Sequence, residues 1–130
     1  MSVTKSDTKL SRQFAIDAAR LLVNTRCHNV VVMDVTGISP VTDFLIFATG
    51  TSARQMKTAC DEVQEFGAPR GFQALSAHSD MGNWTCVDLV DVVVHVFSPE
   101  SRAYYDLENL WGDGRRVNWQ EEFPATAEPA

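Results

Sequence analysis

Six consecutive residues, Phe44-Leu45-Ile46-Phe47-Ala48-Thr49, carry no charge and stop at Gly50. A run this short and this continuous suits a strand buried on both faces, since a strand with one wet face would alternate. A second run, Val30-Val31-Val32-Met33-Asp34-Val35, is β-branched and bounded by Gly37 and Pro40, too short for most helices. A third, Val92 to Phe97, follows the turn-forming Asp88-Leu89-Val90-Asp91. Strands of this kind need a sheet with helices layered on it, and the remaining chain supplies the helices.

From about Thr8 to Cys27, Leu10, Phe14, Ala18, Leu21 and Leu22 recur at three- and four-residue steps and predict one amphipathic helix. Ser52 with Gln55 three residues later makes a capping box. Met56, Cys60, Val63 and Phe66 give that second helix its buried stripe, and Gly67 followed by Pro69 stops it. Ser98 caps a last helix, with Pro99 at its first position and Glu100 near the positive end of the macrodipole. On it, Tyr104, Leu107, Leu110 and Trp111 form a core stripe, while Tyr105 and Glu108 fall on the more exposed face. Arg102 and Asp106 stand at the one-turn spacing of an ion pair. Phe72 to Leu75 predicts a short strand and Trp84 to Asp88 another.

The expected order is α-β-β-α-β-β-β-α. Strands joined by a tight turn are antiparallel and helical crossovers favour parallel neighbours, so the sheet is mixed. The expectation is a single α/β domain over 8–112, a mixed sheet of about five strands with helices packed on it. Residues 1–7 and most of 113–130, rich in small and polar residues, are expected to be disordered.

A net charge of -6 argues against a nucleic-acid grip through phosphates, which needs a cationic surface. It favours a basic protein partner. No stretch is apolar for long enough to span a bilayer, and the N-terminus lacks the features of a signal peptide or presequence, so a cytoplasmic protein is expected. Cys27, Cys60 and Cys86 show no C-x-x-C spacing and are expected to be reduced thiols, neither a zinc site nor a disulfide framework.

Trp84, Cys86 and Asp88 alternate along one strand and share a face, which sets an aromatic ring beside the turn carboxylates Asp88 and Asp91. Trp84 as core and the aspartates as turn formers is the simpler reading. An interface anchor ringed by charge is the other. His95 alternates with Val93 and Phe97 and is expected inside the sheet as a hydrogen-bonded core residue, not a metal ligand. The Gly50-Thr51-Ser52 turn could offer backbone N–H groups to an anion. No D-x-D metal pair follows it, which favours a plain helix cap. Neither catalytic residues nor a cofactor or metal site is indicated.

Several blocks together resemble the RsfS/Iojap family of ribosomal silencing factors. They are Asp34-Val35, Thr42-Asp43-Phe44, Ala48-Thr49-Gly50-Thr51-Ser52 with Arg54-Gln55, Trp84 to Phe97, and Arg102 with Tyr105, Leu107, Glu108, Leu110 and Trp111. The resemblance implies a nucleotidyltransferase-like fold without the catalytic residues, and a non-enzymatic repressor of translation. Such a protein docks on ribosomal protein L fourteen of the large ribosomal subunit and blocks subunit joining; self-association as a homodimer is implied as well. It places Trp84 and Asp88 on the partner-binding surface, and the candidate set is Trp84, Cys86, Asp88, Asp91, Tyr105 and Glu108. Cys86 stands where the family usually has Leu, and Val90 where it usually has Gly. A β-branched residue makes a positive-φ turn costly, so a different turn is expected at Val90.

Overall fold

The computed structural model describes residues 5–80, 83–105 and 114–120. In chain order the elements are α1 (Lys5–Asn24), β1 (His28–Asp34), β2 (Phe44–Thr49), α2 (Ala53–Gly67), a 3-10 turn (Ala68–Arg70), β3 (Ser76–Asp80), β4 (Trp84–Asp88), β5 (Val92–Phe97), α3 (Pro99–Tyr105) and β6 (Arg115–Val117). The strands form one open sheet in the order β3-β4-β5-β2-β1-β6. Among the described strands, β2 and β5 run parallel, in register from Phe44↔Val92 to Thr49↔Phe97, and the other pairs are antiparallel.

All six residues of β2 are buried, the outcome its unbroken apolar run predicts for a central strand covered on both faces. On one face α1 and α2 press Phe14, Ala18, Leu22, Met56, Cys60 and Val63 against Ile46, Val94 and Val96. On the other, Met33, Val35, Leu45, Phe47 and Phe97 form a smaller cluster, with Val31, Trp84 and Val93 packed at its margin. Leu10 does not join the helix stripe: it is 61% exposed, beyond the sheet's reach.

Local signals explain the helix ends. α1 closes in a Schellman motif, with Cys27 N–H donating to the Leu22 carbonyl (2.9 Å) and Arg26 N–H to Val23 (3.0 Å). Arg26 takes the left-handed position, φ 76°, where glycine is usual. The predicted capping box forms at α2 with its second bond shifted by one residue: Gln55 N–H donates to the N-cap Ser52 Oγ (3.1 Å), and Gln55 Oε1 accepts from Thr51 N–H (2.9 Å) rather than from Ser52 N–H. The same side chain donates through Nε2 to the Thr25 carbonyl (2.8 Å), tying the start of α2 to the end of α1. Gly50 leaves room for this approach, since a Cβ there would lie 2.1 Å from Met56 Cγ. Ser98 caps α3 by accepting from Ser101 N–H at 3.2 Å.

The structure departs from the sequence reading in two strands. Phe72 belongs to no strand; its ring stacks on Phe14 at 4.2 Å between centroids. The strand instead covers Ser76–Asp80, an edge strand whose five side chains are all exposed. Pairing there comes from the backbone ladder and a Ser79–Thr85 hydroxyl contact (3.5 Å), which a hydrophobic pattern cannot reveal. The sixth strand, β6, lies in the segment expected to be mostly disordered. It pairs with β1 from Val32↔Val117 to Asp34↔Arg115. Trp119 Nε1 donates to the Val30 carbonyl (3.1 Å), at the register shift in β1 between His28 and Val31. On the last predicted helix, Asp106, Leu107, Glu108, Leu110 and Trp111 lie outside the described residues, as do the side chains of Tyr104 and Tyr105.

Candidate functional site

β4 brings Trp84, Cys86 and Asp88 onto the sheet face opposite α1 and α2, all three half-buried, while Thr85 and Val87 point into the main core. The pairing sets Cys86 between His78 of β3 and His95 of β5, and Trp84 between Asp80 and Phe97. Trp84, His95, Phe97 and Phe47 form a layer of near-parallel rings with centroids 5.6–6.3 Å apart. Trp84 Nε1 donates to His95 Nδ1 at 3.1 Å. An indole N–H only donates, so Nδ1 is the bare nitrogen and His95 is neutral with its proton on Nε2. Burial drives its pKa down to about 4, against the opposing pull of the Asp88 carboxylate. His95 is thus the hydrogen-bonded residue its strand position predicts. Trp84 is part core and part surface, between the two readings the sequence left open.

Asp88 shapes the turn with one carboxylate oxygen, accepting from Val90 N–H at 2.8 Å. The turn is not the one expected. Val90 keeps the positive φ, 75°, and stands 47% exposed. Asx-type bonding by Asp88, with Leu89 N–H donating to Val92 O (2.9 Å) and Asp91 N–H to Leu89 O (3.0 Å), holds a conformation that valine alone disfavours. Asp91 is half-buried, and its carbonyl accepts from both Asp43 and Phe44 at 3.1 Å. Burial, then the nearby Asp91 and Asp34 carboxylates, raise the Asp43 pKa. Burial also acts upward on Asp34, but hydrogen bonds from Thr36 and Arg115 outweigh it and hold that carboxyl below its ordinary value.

Of the six candidate residues, Trp84, Cys86 and Asp88 share one face along the length of β4, with Trp84 level with the end of β5 and Asp88 next to the turn that holds Asp91. Glu108 lies outside the described residues, and so does the side chain of Tyr105. Sequence reasoning passed over Val41 and Leu75, exposed at 77% and 72%. Their signal was an isolated apolar residue beside breakers: Pro40 in one case, Ser76 at the start of a polar strand in the other. Arg102 was read as a partner for Asp106 and as part of the family-like block, with no contact to the sheet expected. Its guanidinium donates to the Asn29 carbonyl and to Thr49 Oγ1 (2.9 Å), joining α3 to β1 and β2.

The thiols are free, with burial pushing Cys60 to about 12 and Cys86 to about 11, so neither is a ready nucleophile at neutral pH. Among the described residues, no group of three His, Cys, Asp or Glu is placed to hold a metal ion, and no helix is long and apolar enough to cross a membrane. In the Gly50–Ser52 turn, Gly50 N–H is engaged by the Phe97 carbonyl (2.7 Å) and Thr51 N–H by Gln55. That leaves little of the N–H cradle an anion needs.

A family model described as "Ribosomal silencing factor during starvation" matches residues 8–130. The chain belongs to the RsfS family. An RsfS protein of Bacillus subtilis is 37% identical over 97 residues, which is 74% of this chain and 82% of that protein. The chloroplastic protein Iojap of Zea mays is 28% identical over 116 residues, 89% of this chain and 51% of the maize protein. A crystal structure of a protein from Chromobacterium violaceum superimposes with a TM-score of 0.73 at 32% identity, covering 78% of this chain and 85% of that one. The open mixed sheet is therefore an RsfS fold, and ribosomal silencing is the general role that goes with the family.

Proposed function

We propose that this chain represses translation in the cytoplasm by binding the large ribosomal subunit through ribosomal protein L fourteen and sterically blocking subunit joining. No catalysis is needed, because occupancy of the joining surface is enough. The observation that supports this reading is the half-exposed row of Trp84, Cys86 and Asp88 beside Asp91. A ring fixed by stacking and a hydrogen bond loses little freedom on docking, and adjacent carboxylates complement a basic protein. Purified protein should co-sediment with large subunits, not with small ones, and should lower the yield of joined ribosomes. Asp88→Asn is the informative variant, since its Oδ1 still accepts from Val90 N–H while the charge is gone. It should melt like the parent and bind about tenfold more weakly, the ~1.4 kcal/mol of a contacting charge. Trp84→Ala should lose binding too, but removing a half-buried ring also costs about 2 kcal/mol of stability, so it needs a melt beside it. Equal pelleting with both subunits, or with neither, sinks the proposal.

A further inference from the structure

We propose that Val41, Leu75 and Val90 form an apolar docking edge at one end of the sheet that seats against the same basic ribosomal protein. This rests on the reading above and extends it to residues outside the Trp84–Asp88 row.

The backbone ties all three to one end of the sheet. Leu75 N–H donates to the Asp88 carbonyl at 2.7 Å, which puts Leu75 at the close of β4. Val90 is in the β4–β5 turn that follows. Asp43 and Phe44 both donate to the Asp91 carbonyl, which brings the start of β2, and Val41 just before it, alongside the start of β5. With strands about 4.8 Å apart, the row from β3 to β2 spans roughly 15 Å. That is the footprint of a small contact patch.

Two features mark this edge for a partner. The first is apolar surface displayed beside a fixed turn. A left-handed conformation costs an L-residue about 1–2 kcal/mol, and a β-branched one is a genuine outlier there. The turn's own hydrogen bonds hold Val90 at φ 75° with its side chain 47% exposed. Val41 and Leu75 stand 77% and 72% exposed at the same end. The second is charge. The carboxylates of Asp43, Asp88 and Asp91 lie along the same end, and Asp34 beside them is paired with Arg115 at 3.2 Å. An apolar centre with an acidic rim complements a basic protein surface and repels RNA phosphates.

Binding of the full chain to large subunits, and to isolated ribosomal protein L fourteen, tests this alongside thermal melts. Val90→Gly relieves the strain and should raise the melting midpoint by about 2–5 °C. It should nonetheless bind several-fold to about tenfold more weakly, the worth of one buried apolar side chain. Leu75→Ser and Val41→Ser should melt like the parent and bind more weakly, whereas Leu10→Ser, an exposed site on α1, should change neither. Parent-like binding by the three edge variants while Asp88→Asn loses binding overturns the docking edge and leaves the proposed function standing. A parent chain that pellets with neither subunit removes both together. Competition by free ribosomal RNA but not by the ribosomal protein overturns the assignment to a protein partner.

Discussion

Acidification from pH 7 to pH 5 should weaken the fold through one side chain. His95 carries its bare Nδ1 against Trp84 Nε1–H, and burial lowers its pKa from 6.5 to about 4. A depressed histidine pKa means the unfolded chain binds more protons than the folded one between those values. Stability is therefore fully present above about pH 6.5 and is lost as pH falls toward 4. Two unlike protonation curves with these pKa values differ by about 2 kcal/mol between pH 7 and pH 5, an upper figure because the ring is not wholly shielded from water. Against a typical domain stability of ~5–15 kcal/mol this is a large fraction. Urea unfolding at half-unit pH steps measures it. His95→Gln supplies the control: its amide oxygen still accepts from Trp84, but it takes up no proton. The parent should show a steep slope through pH 6 to 5 and the variant a shallow one. Matching slopes would refute the argument, as would an NMR titration placing the His95 midpoint near 6.5.

Two further outcomes test the helix ends. Gly50→Ala should destabilise by about 1–3 kcal/mol in a denaturant titration, because its Cβ meets Met56 Cγ at 2.1 Å and Gln55 Oε1 at 2.9 Å; a variant with parental stability would show that the strand-to-helix approach is loose. Arg26→Gly should stabilise by about 0.5–1 kcal/mol, since the left-handed position ending α1 needs no side chain; a loss instead would mean that the guanidinium makes a contact worth more than the strain.

The central architecture was legible because its signals are local and chemical. β2 announced itself by six apolar residues, α2 by Ser52 and Gln55, and α3 by Ser98-Pro99. The missed pieces are those held by the backbone or by distant partners. β3 carries Ser76, His78 and Asp80, polar residues that join the sheet because β4 offers backbone hydrogen bonds to its edge. β6 is three residues long and is anchored by Val117 and Trp119, whose partners lie in β1. At the candidate site, alternation correctly put Trp84, Cys86 and Asp88 on one face. It could not show that Trp84 is bonded to His95, because cross-strand register fixes that contact. The turn at Val90 was read wrongly because side-chain propensity was given more weight than the Asp88 cap that overrides it.

The sheet order also sets a schedule for synthesis. β1 is among the first elements made, and among the described elements its outer edge is closed by β6; the Arg115–Asp34 pair that fastens them joins residues 81 apart in sequence. At ~5–20 residues per second, a nascent chain carries that edge open for about 4–16 s. Contacts of such long range also slow folding, because the loop between them must close before the pairing stabilises it. An early stop before residue 115 would leave the backbone donors and acceptors of Val32 and Asp34 unpaired beside an apolar strand, a template for edge-to-edge aggregation. Among the described elements, completion of β6 is thus the step that covers this adhesive edge.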